Sequence, residues 1–435
     1  MFIKRFQLGL LHVAVAMTLV PINSTLNRVM IKELSVSATL VAIMASLPYL
    51  FSPIQVAIGS FSDRYPVWGY RRSPYIFLGL ILCVTGVIVS PYVAFLLVQN
   101  RGLGIFLGIL AFGAWGMGYN LASVSYLSLA TEISGEEGRS KTIATMFIMM
   151  IIGIILTSIT LGNMLEVYNE AILIQAFRVV GLIALVMGLA GLFRLEEKKS
   201  AKDESAEIGF NWKQIYTMLT GNKQVTRFFW YLTLLLTAIL GQDILLEPYG
   251  AQAFGLAVNA TTKITAIWGV CFLISMSIGA AVEKKIPKMT QAKIGGWAGI
   301  GAFSLIVISS LILNLSVFYS GVILLGLATG ISTVSNLSLM LDMTTTGNVG
   351  MFIGAWGMAN AISRLAGNML SGIVRDTVTV LTKNEVAGYS IVFFIEILML
   401  ISSLLILRNV NIDLFKKQSE DNLSFIERAA IAGEG

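Results

Sequence analysis

The sequence predicts an all-α membrane protein whose twelve transmembrane helices form two pseudo-symmetric six-helix bundles. Three observations lead there. Of 435 residues, 56% are hydrophobic and 12% charged, against about 25% charged in soluble domains. Apolar runs long enough to cross ~30 Å of hydrocarbon recur twelve times. Two stretches 210 residues apart, Val124-Ser-Tyr-Leu-Ser-Leu-Ala-Thr-Glu132 and Val334-Ser-Asn-Leu-Ser-Leu-Met-Leu-Asp342, share Val, Ser, Leu, Ser and Leu, and each closes on an acid. A polytopic chain with one half written twice accounts for all three.

The runs lie near 7–27, 38–61, 74–98, 103–131, 142–165, 171–193, 229–254, 259–282, 292–313, 316–341, 349–374 and 387–407. The longest polar break separates them six and six. The expected organisation is therefore an N-terminal bundle (1–194), a cytoplasmic linker (195–228), a C-terminal bundle (229–408) and a cytoplasmic tail (409–435). With both termini cytoplasmic, that side holds 22 of the 30 Lys and Arg residues and the other side six, as the positive-inside rule requires. The repeat lays the fourth span over the tenth. A shift of six spans is even, so the halves run parallel. A second echo, Leu34-Ser-Val-Ser-Ala-Thr39 against Leu256-Ala-Val-Asn-Ala-Thr261, agrees.

The linker opens on a charge run, Glu196-Glu-Lys-Lys-Ser-Ala-Lys-Asp-Glu204, which reads as solvated. Trp212, Ile215, Tyr216 and Leu219 follow at helical spacing. They suit either a short helix on the membrane surface or a linker turn under the bundles. Cys83 and Cys271 both lie in apolar segments, and His12 is the only histidine, so neither a disulfide framework nor a His-cluster metal site is expected. No cleavable signal peptide is expected either, because the first apolar run is long and followed by Arg28. The net charge of +6 sits in short loops and does not point to nucleic acid.

Between the second and third spans stands Gly59-Ser-Phe-Ser-Asp63-Arg64-Tyr-Pro-Val-Trp-Gly69-Tyr-Arg71-Arg72. It resembles the loop signature of the major facilitator superfamily, stretched to four residues between Arg64 and Gly69. Gly59 permits close helix approach, Asp63 can pair with a base or a helix N-terminus, and Arg71 and Arg72 fix the loop at the cytoplasmic face. A structural latch is the role expected of it. Gly279-Ala-Ala-Val-Glu283-Lys-Lys285 is the second-half counterpart.

The seventh span contains Gln242-Asp243-Ile-Leu-Leu-Glu247-Pro248-Tyr249-Gly250. Charges within a span cost ~2.5–3.5 kcal/mol on insertion scales. Asp243 and Glu247, at i and i+4, are expected to share one helix face toward the cavity between halves or near the outer interface. Pro248 removes a backbone hydrogen bond and should kink the helix. The alternative is an interfacial Glu at a bend that caps structure.

This motif, followed by Phe254-Gly255, and Ser24-Thr-Leu-Asn-Arg-Val-Met30 at the end of the first span resemble the bacteriochlorophyll-delivery (PucC/LhaA-like) family, a branch of the major facilitator superfamily found in phototrophs. The resemblance covers all twelve spans. It implies a membrane assembly factor that handles (bacterio)chlorophyll as cargo, without a metal or nucleotide of its own. The implied partners are chlorophyll-binding light-harvesting or photosystem apoproteins, tetrapyrrole pigment and membrane lipid, in a photosynthetic or inner (thylakoid or cytoplasmic) membrane.

Chlorophyll needs an apolar slot and one axial donor to its magnesium, commonly His, Asn, Gln or water. His12, Asn120 and Gln242 are candidates by type, although a lone His in a span more often bonds to a neighbouring helix. Arg28 is expected to reach Glu247 near the outer face. Gly104, Gly108, Gly113, Gly116 and Gly118 in and beside the fourth span suit helix packing or a flat surface for a tetrapyrrole or partner helix. Trp115, Trp268, Trp297 and Trp356 suit core filling or pigment contact. The first six spans hold Arg178 as their internal charge and no acid, so a proton relay would rest on Asp243, Glu247 and Glu396. No P-loop, nucleophile elbow or soluble catalytic domain is present, and an enzyme is not expected. The alternatives to pigment delivery are a secondary transporter of a small amphipathic solute by alternating access, or a non-transporting scaffold gripping a single-span helix.

Overall fold

The computed structural model describes residues 2–52, 54, 62, 65–198, 220–343, 349–412 and 414–415, with main chain alone for 136, 137, 139, 140 and 349–354. Gly59, Asp63 and Arg64 of the loop motif lie outside the described residues, as does the stretch 212–219.

α1 (Phe2–Met17) continues through two π-helical turns, Pro21–Leu26 and Val29–Glu33. α2 (Ala38–Ala45) breaks at Ser46 and resumes over Leu47–Leu50, with Pro48 in the new first turn. α3 (Ser73–Gln99) carries Pro91 without interruption. The Ser90 hydroxyl donates to Val87 O at 2.8 Å, replacing the bond that Pro91 cannot make. α4 (Arg101–Gly135) and α5 (Lys141–Met164) meet at Gly135, whose φ of 62° suits glycine. α6 spans Glu170–Leu192. In the second half are α7 (Lys223–Gly241), α8 (Val258–Val282), α9 (Lys288–Leu311), α10 (Leu315–Asp342), α11 (Val349–Thr382) and α12 (Glu385–Leu407). α7 starts at Lys223 rather than near 229 and becomes helical again over Leu246–Phe254. Side-chain oxygens of Asn100, Asn169, Asn222, Asn314 and Asn384 cap α4, α6, α7, α10 and α12.

Ten helices among the described residues are long and apolar enough to cross a membrane. The second span's described helix has 8 residues before its break. The eleventh is a 34-residue helix carrying Asn360, Ser363, Arg364, Asn368, Arg375 and Asp376. The chain is an integral, multi-pass membrane protein built of helices in two halves.

Helices pack where side chains are missing. A Cβ on Gly118 would come within 2.6 Å of Gly79 O and 2.7 Å of Cys83 N, so α3 and α4 touch backbone to backbone. Gly104 lies against Leu97, Gly108 against Met44 and Gly116 against Pro48. The Gly-rich face of α4 is therefore taken up by packing within the bundle. The halves meet along two related seams. Gly372 of α11 sits against Ala38, Thr39 and Ala42 of α2, while Gly162 and Ile155 of α5 sit against Lys263 and Gly269 of α8.

The sequence repeat closes two equivalent ion pairs. Glu132, ending its copy in α4, accepts from Arg72 Nε at 3.1 Å at the start of α3. Asp342, ending the other copy, accepts from Lys288 Nζ at 2.8 Å at the start of α9. Lys288 also pairs with Glu283 at 3.3 Å.

A Gly118→Val change should drive α3 and α4 apart and cost about 1–3 kcal/mol as overpacking, read as a lower unfolding temperature in detergent. Gly357→Ala, where a Cβ would meet nothing within 4 Å, should leave that temperature unchanged or raise it.

Candidate functional site

The seventh span does not pass Asp243 and Glu247 along one helix face. Gln242–Ile244 tighten into a 3₁₀ turn, with Leu245 N bonding to Gln242 O at 2.9 Å. The helix then restarts at Leu246 with Pro248 in its first turn, where a missing N–H costs nothing. Pro248 thus opens a helix; the break precedes it. The two acids consequently go to different partners.

Asp243 Oδ2 accepts from Arg364 Nη1 of α11 at 2.6 Å, and its Oδ1 from Gln242 Nε2 at 3.0 Å. The Arg364 guanidinium lies 5.6 Å from the centroid of Tyr49, a ring of the first half. Glu247 is buried. Its Oε1 accepts from Ser24 Oγ of α1 and, at 2.8 Å, from Thr265 Oγ1 of α8, while its Oε2 has no partner.

Arg28 does not pair with Glu247. It forms an ion pair with Glu33 and donates to Leu256 O at 3.0 Å. The π-helical turn explains the choice: its period brings residues five apart onto one face, which places Glu33 beside Arg28. Leu256 follows the left-handed cap Gly255 (φ 65°) that ends the helix of Glu247, where a cation is favoured.

Further bonds join the halves nearby. Thr25 Oγ1 and Thr262 Oγ1 are 3.0 Å apart, and the Ser158 hydroxyl donates to Thr262 O. Asp376 of α11 accepts from Ala38 N at 3.1 Å, Thr39 N at 2.8 Å and Thr39 Oγ1 at 2.7 Å. An acid of one half thereby caps the first turn of α2 in the other. Deeper in, Asn368 Nδ2 donates to Ser46 Oγ at 3.1 Å. Between described residues, these cross-half bonds lie at mid-bundle or beyond, toward the end opposite Phe2 and Leu407. At the end that holds those residues, Arg72 and Lys288 pair within their own halves.

The other expected residues serve other places. Tyr249 donates to Ile306 O at 2.7 Å, and its ring packs among Phe254, Phe318, Tyr389 and Phe393. It belongs to the second-half core and does not line an opening between halves. Gly250 lets Leu256, Phe318 and Ile264 close in on that core. His12 is buried between Tyr126 and Phe147, with ring centroids 5.2 and 5.1 Å away, and its Nδ1 has no partner. Asn120 directs its amide to Pro48 O at 2.7 Å and Gly116 O at 2.9 Å, steadying the break in α2. Gln242 keeps a buried Oε1 without a partner.

In the loop motif, Trp68 (φ 55°) and Gly69 (φ 83°) form a two-residue turn bracketed by Val67 and Tyr70. The amides of Arg71, Arg72 and Ser73 converge on the Glu196 carboxylate at 2.6–3.2 Å. Glu196 is therefore the N-terminal cap of α3, not part of a solvated run. The Arg72 side chain turns inward to Glu132 and Ser62. Sequence spacing does not single out Arg364, Asp376, Thr262, Thr265 or Glu196 as site residues. The intramembrane charge of Arg364 is the one signal available.

Family comparison agrees with this architecture. The family model described as PUCC protein matches residues 25–415. The chain belongs to the PUCC protein family. Protein PucC of Rhodobacter capsulatus is 31% identical over 421 residues, covering 92% of this chain and 90% of that protein. The "Bacteriochlorophyll synthase 44.5 kDa chain" of the same species is 24% identical over 414 residues, covering 92% and 93%. Among solved structures, the nucleoside transporter NupG superposes with a TM-score of 0.73 at 14% identity over 94% of this chain and 98% of that one. A D-xylose–proton symporter gives 0.74 at 14% identity over 94% and 97%. These similarities show the shared fold.

Replacing Arg364 with Ala strands Asp243 and should destabilise by about 2–3 kcal/mol, below the full buried-pair value because both side chains keep partial exposure. The double variant D243N/R364Q should recover part of that loss in thermal unfolding. Asp376→Ala should cost about 1 kcal/mol as a lost cap. Asp376→Asn, which retains an acceptor, should cost less in the same measurement.

Proposed function

We propose that this protein handles a bacteriochlorophyll-type pigment in the membrane and assists the assembly of light-harvesting or photosystem complexes. The observation that carries the reading is the family match across nearly the whole chain, together with a relative named for bacteriochlorophyll synthesis. The chain acts in this reading as a carrier, not as an enzyme. Its termini face the cytoplasm, because 22 of the 30 Lys and Arg residues fall on that side. The halves are clasped by Ser24, Glu247, Thr265, Thr262 and Asp376 toward the opposite face, so cargo would enter or leave between them from the cytoplasmic side or the membrane.

Two buried side chains have unpartnered atoms of the type that a tetrapyrrole's magnesium takes. His12 offers an imidazole nitrogen without a partner beside two aromatic rings, and Gln242 a buried carbonyl oxygen without a donor. Either suits the axial position of a magnesium centre by donor type. Asn120 suits it less, because its amide nitrogen already holds Pro48 O and Gly116 O.

A second reading is alternating-access transport of a small amphipathic solute. Its supporting observation is that ionisable groups stand at the seam of a transporter fold in two places, the Arg364–Asp243 pair and Glu247 on Ser24. Such groups mark substrate and ion pathways in membrane proteins.

Gentle solubilisation from a phototrophic host decides between them. Pigment delivery predicts tetrapyrrole absorption and chlorophyll-binding chains that co-purify, with His12→Ala or Gln242→Ala lowering pigment content. Pigment-free protein, normal antenna assembly in a deletion strain, and solute flux in proteoliposomes that collapses in Glu247→Gln would favour transport.

A further inference from the structure

α6 packs chiefly on α1 and α3 of its own half. It runs antiparallel to α3, with Gly188 receiving Leu80 and Gly181 receiving Ile88. Its opposite stripe, Ala171, Gln175, Arg178, Leu182, Val186 and Leu189 at helical spacing, is exposed and faces lipid. Arg178 stands eight residues past Glu170, where α6 begins. At 1.5 Å per residue its Cα is ~12 Å along the helix, well inside a hydrocarbon core of ~30 Å. A cation at that depth on a lipid-facing surface is costly and calls for a partner.

The other arginines within spans meet acids: Arg28 meets Glu33, Arg364 meets Asp243 and Arg375 meets Asp376. Arg178 has no acid within ion-pair distance among the described residues. Its Nη2 donates to the Tyr92 hydroxyl of α3, and the guanidinium lies 5.7 Å from that ring's centroid. Tyr92 is itself 39% exposed. It stands seven residues before Gln99, the end of α3, and so ~10 Å in from that end. The tyrosine therefore holds the guanidinium at depth, beside the exposed amide of Gln175. The acids within the chain's own spans are engaged elsewhere. Asp243 and Asp376 are paired, Glu247 is bonded to Ser24 and Thr265, and Glu396 is buried with neither oxygen partnered. None of the four is exposed, so a second copy of the chain does not supply the missing charge.

We propose that the α3–α6 face docks a transmembrane helix of another protein, whose aspartate or glutamate pairs with Arg178 at this depth. The guanidinium has further N–H groups to donate to a carboxylate. The Tyr92 hydroxyl accepts from Arg178 and keeps its own hydrogen for the same carboxylate. Two donors thus converge on one acceptor, in surroundings without water to compete for it. Gln175, one turn nearer the outer end on the same stripe, adds an amide able to bond across the two helices. This extends the assembly role proposed above by naming the face a partner takes, and it does not depend on which cargo is carried.

Energy transfer from the labelled full-length protein to labelled single-span peptides, dilute in phosphatidylcholine vesicles, tests this. A polyleucine helix with one aspartate a third of the way along should bind about 5–30-fold tighter than the all-leucine helix. An aspartate at the helix end should bring no gain. The preference should vanish in Arg178→Leu and weaken in Tyr92→Phe. Leucine suits an exposed membrane face, so Arg178→Leu should keep the wild-type unfolding temperature. Should it fail to fold, Arg178→Gln serves instead and should also lose most of the preference. Equal binding of the two peptides, or a preference undiminished in the Arg178 variant, overturns the proposal. So does a variant that loses only enrichment of labelled phosphatidylglycerol, which would assign Arg178 to a lipid phosphate. Pigment absorption of protein from the phototrophic host is read separately, so failure of this docking and failure of pigment handling are distinguishable.

Discussion

Arg364 and Asp243 hold one another within the bundle, each side chain only partly exposed, and the arrangement of the second half follows from that pair. An isolated ion within a span would cost ~2.5–3.5 kcal/mol on insertion scales. Paired, the two charges dictate which faces of α7 and α11 turn toward each other. Gly241 and Gly367 let those helices approach backbone to backbone next to the pair. The 3₁₀ turn at Gln242–Ile244 releases Asp243 from the α-helical register, so it can meet Arg364 while Glu247, past the break, meets α1 and α8.

The two halves share a frame and differ in its contents. Each end of the repeated sequence closes a pair at the same corner, Glu132 with Arg72 and Asp342 with Lys288. One step inside the repeat, Tyr126 of the first copy packs on His12, while Asn336 of the second accepts from Tyr231 at 2.8 Å. These positions correspond, yet one has become an aromatic contact and the other a hydrogen bond. The buried acids Glu247 and Glu396 both belong to the second half. The first half answers Glu247 with the Ser24 hydroxyl and sets the Tyr49 ring beside Arg364. Such an asymmetric seam suits a protein in which one half presents ionisable groups and the other reads them.

The clasp between the halves also shows why irregular backbone appears where it does. π-helical turns widen the end of α1, a proline restarts α2, and α7 breaks before Glu247. In hydrocarbon every freed backbone group must find a partner within the protein. At the restart of α2 such a partner is present: Asn120 donates to Pro48 O. Irregularity is concentrated at the seam, where neighbouring helices can supply these bonds.

How far the sequence speaks depends on the range of the interaction. Membrane insertion, the duplication and the parallel halves are legible because hydropathy and spacing are sums over neighbouring residues. Residue type alone points to Pro248 for the break in α7, but the break falls before it, because proline in a first turn is harmless and Gln242–Ile244 carry the irregularity. Partner choice belongs to the tertiary structure. Arg28 turns to Glu33 because a π-turn changes the helical period, a feature that composition does not encode. Glu196 leaves an apparently solvated run to cap α3, a helix that begins 123 residues earlier in the chain. Arg364 finds Asp243 across 121 residues, because two glycines bring their helices together. The order of residues dictates that costly charges lie within the membrane. The fold, by setting helix rotation and separation, selects which of them neutralise one another and which, like Glu396, do not.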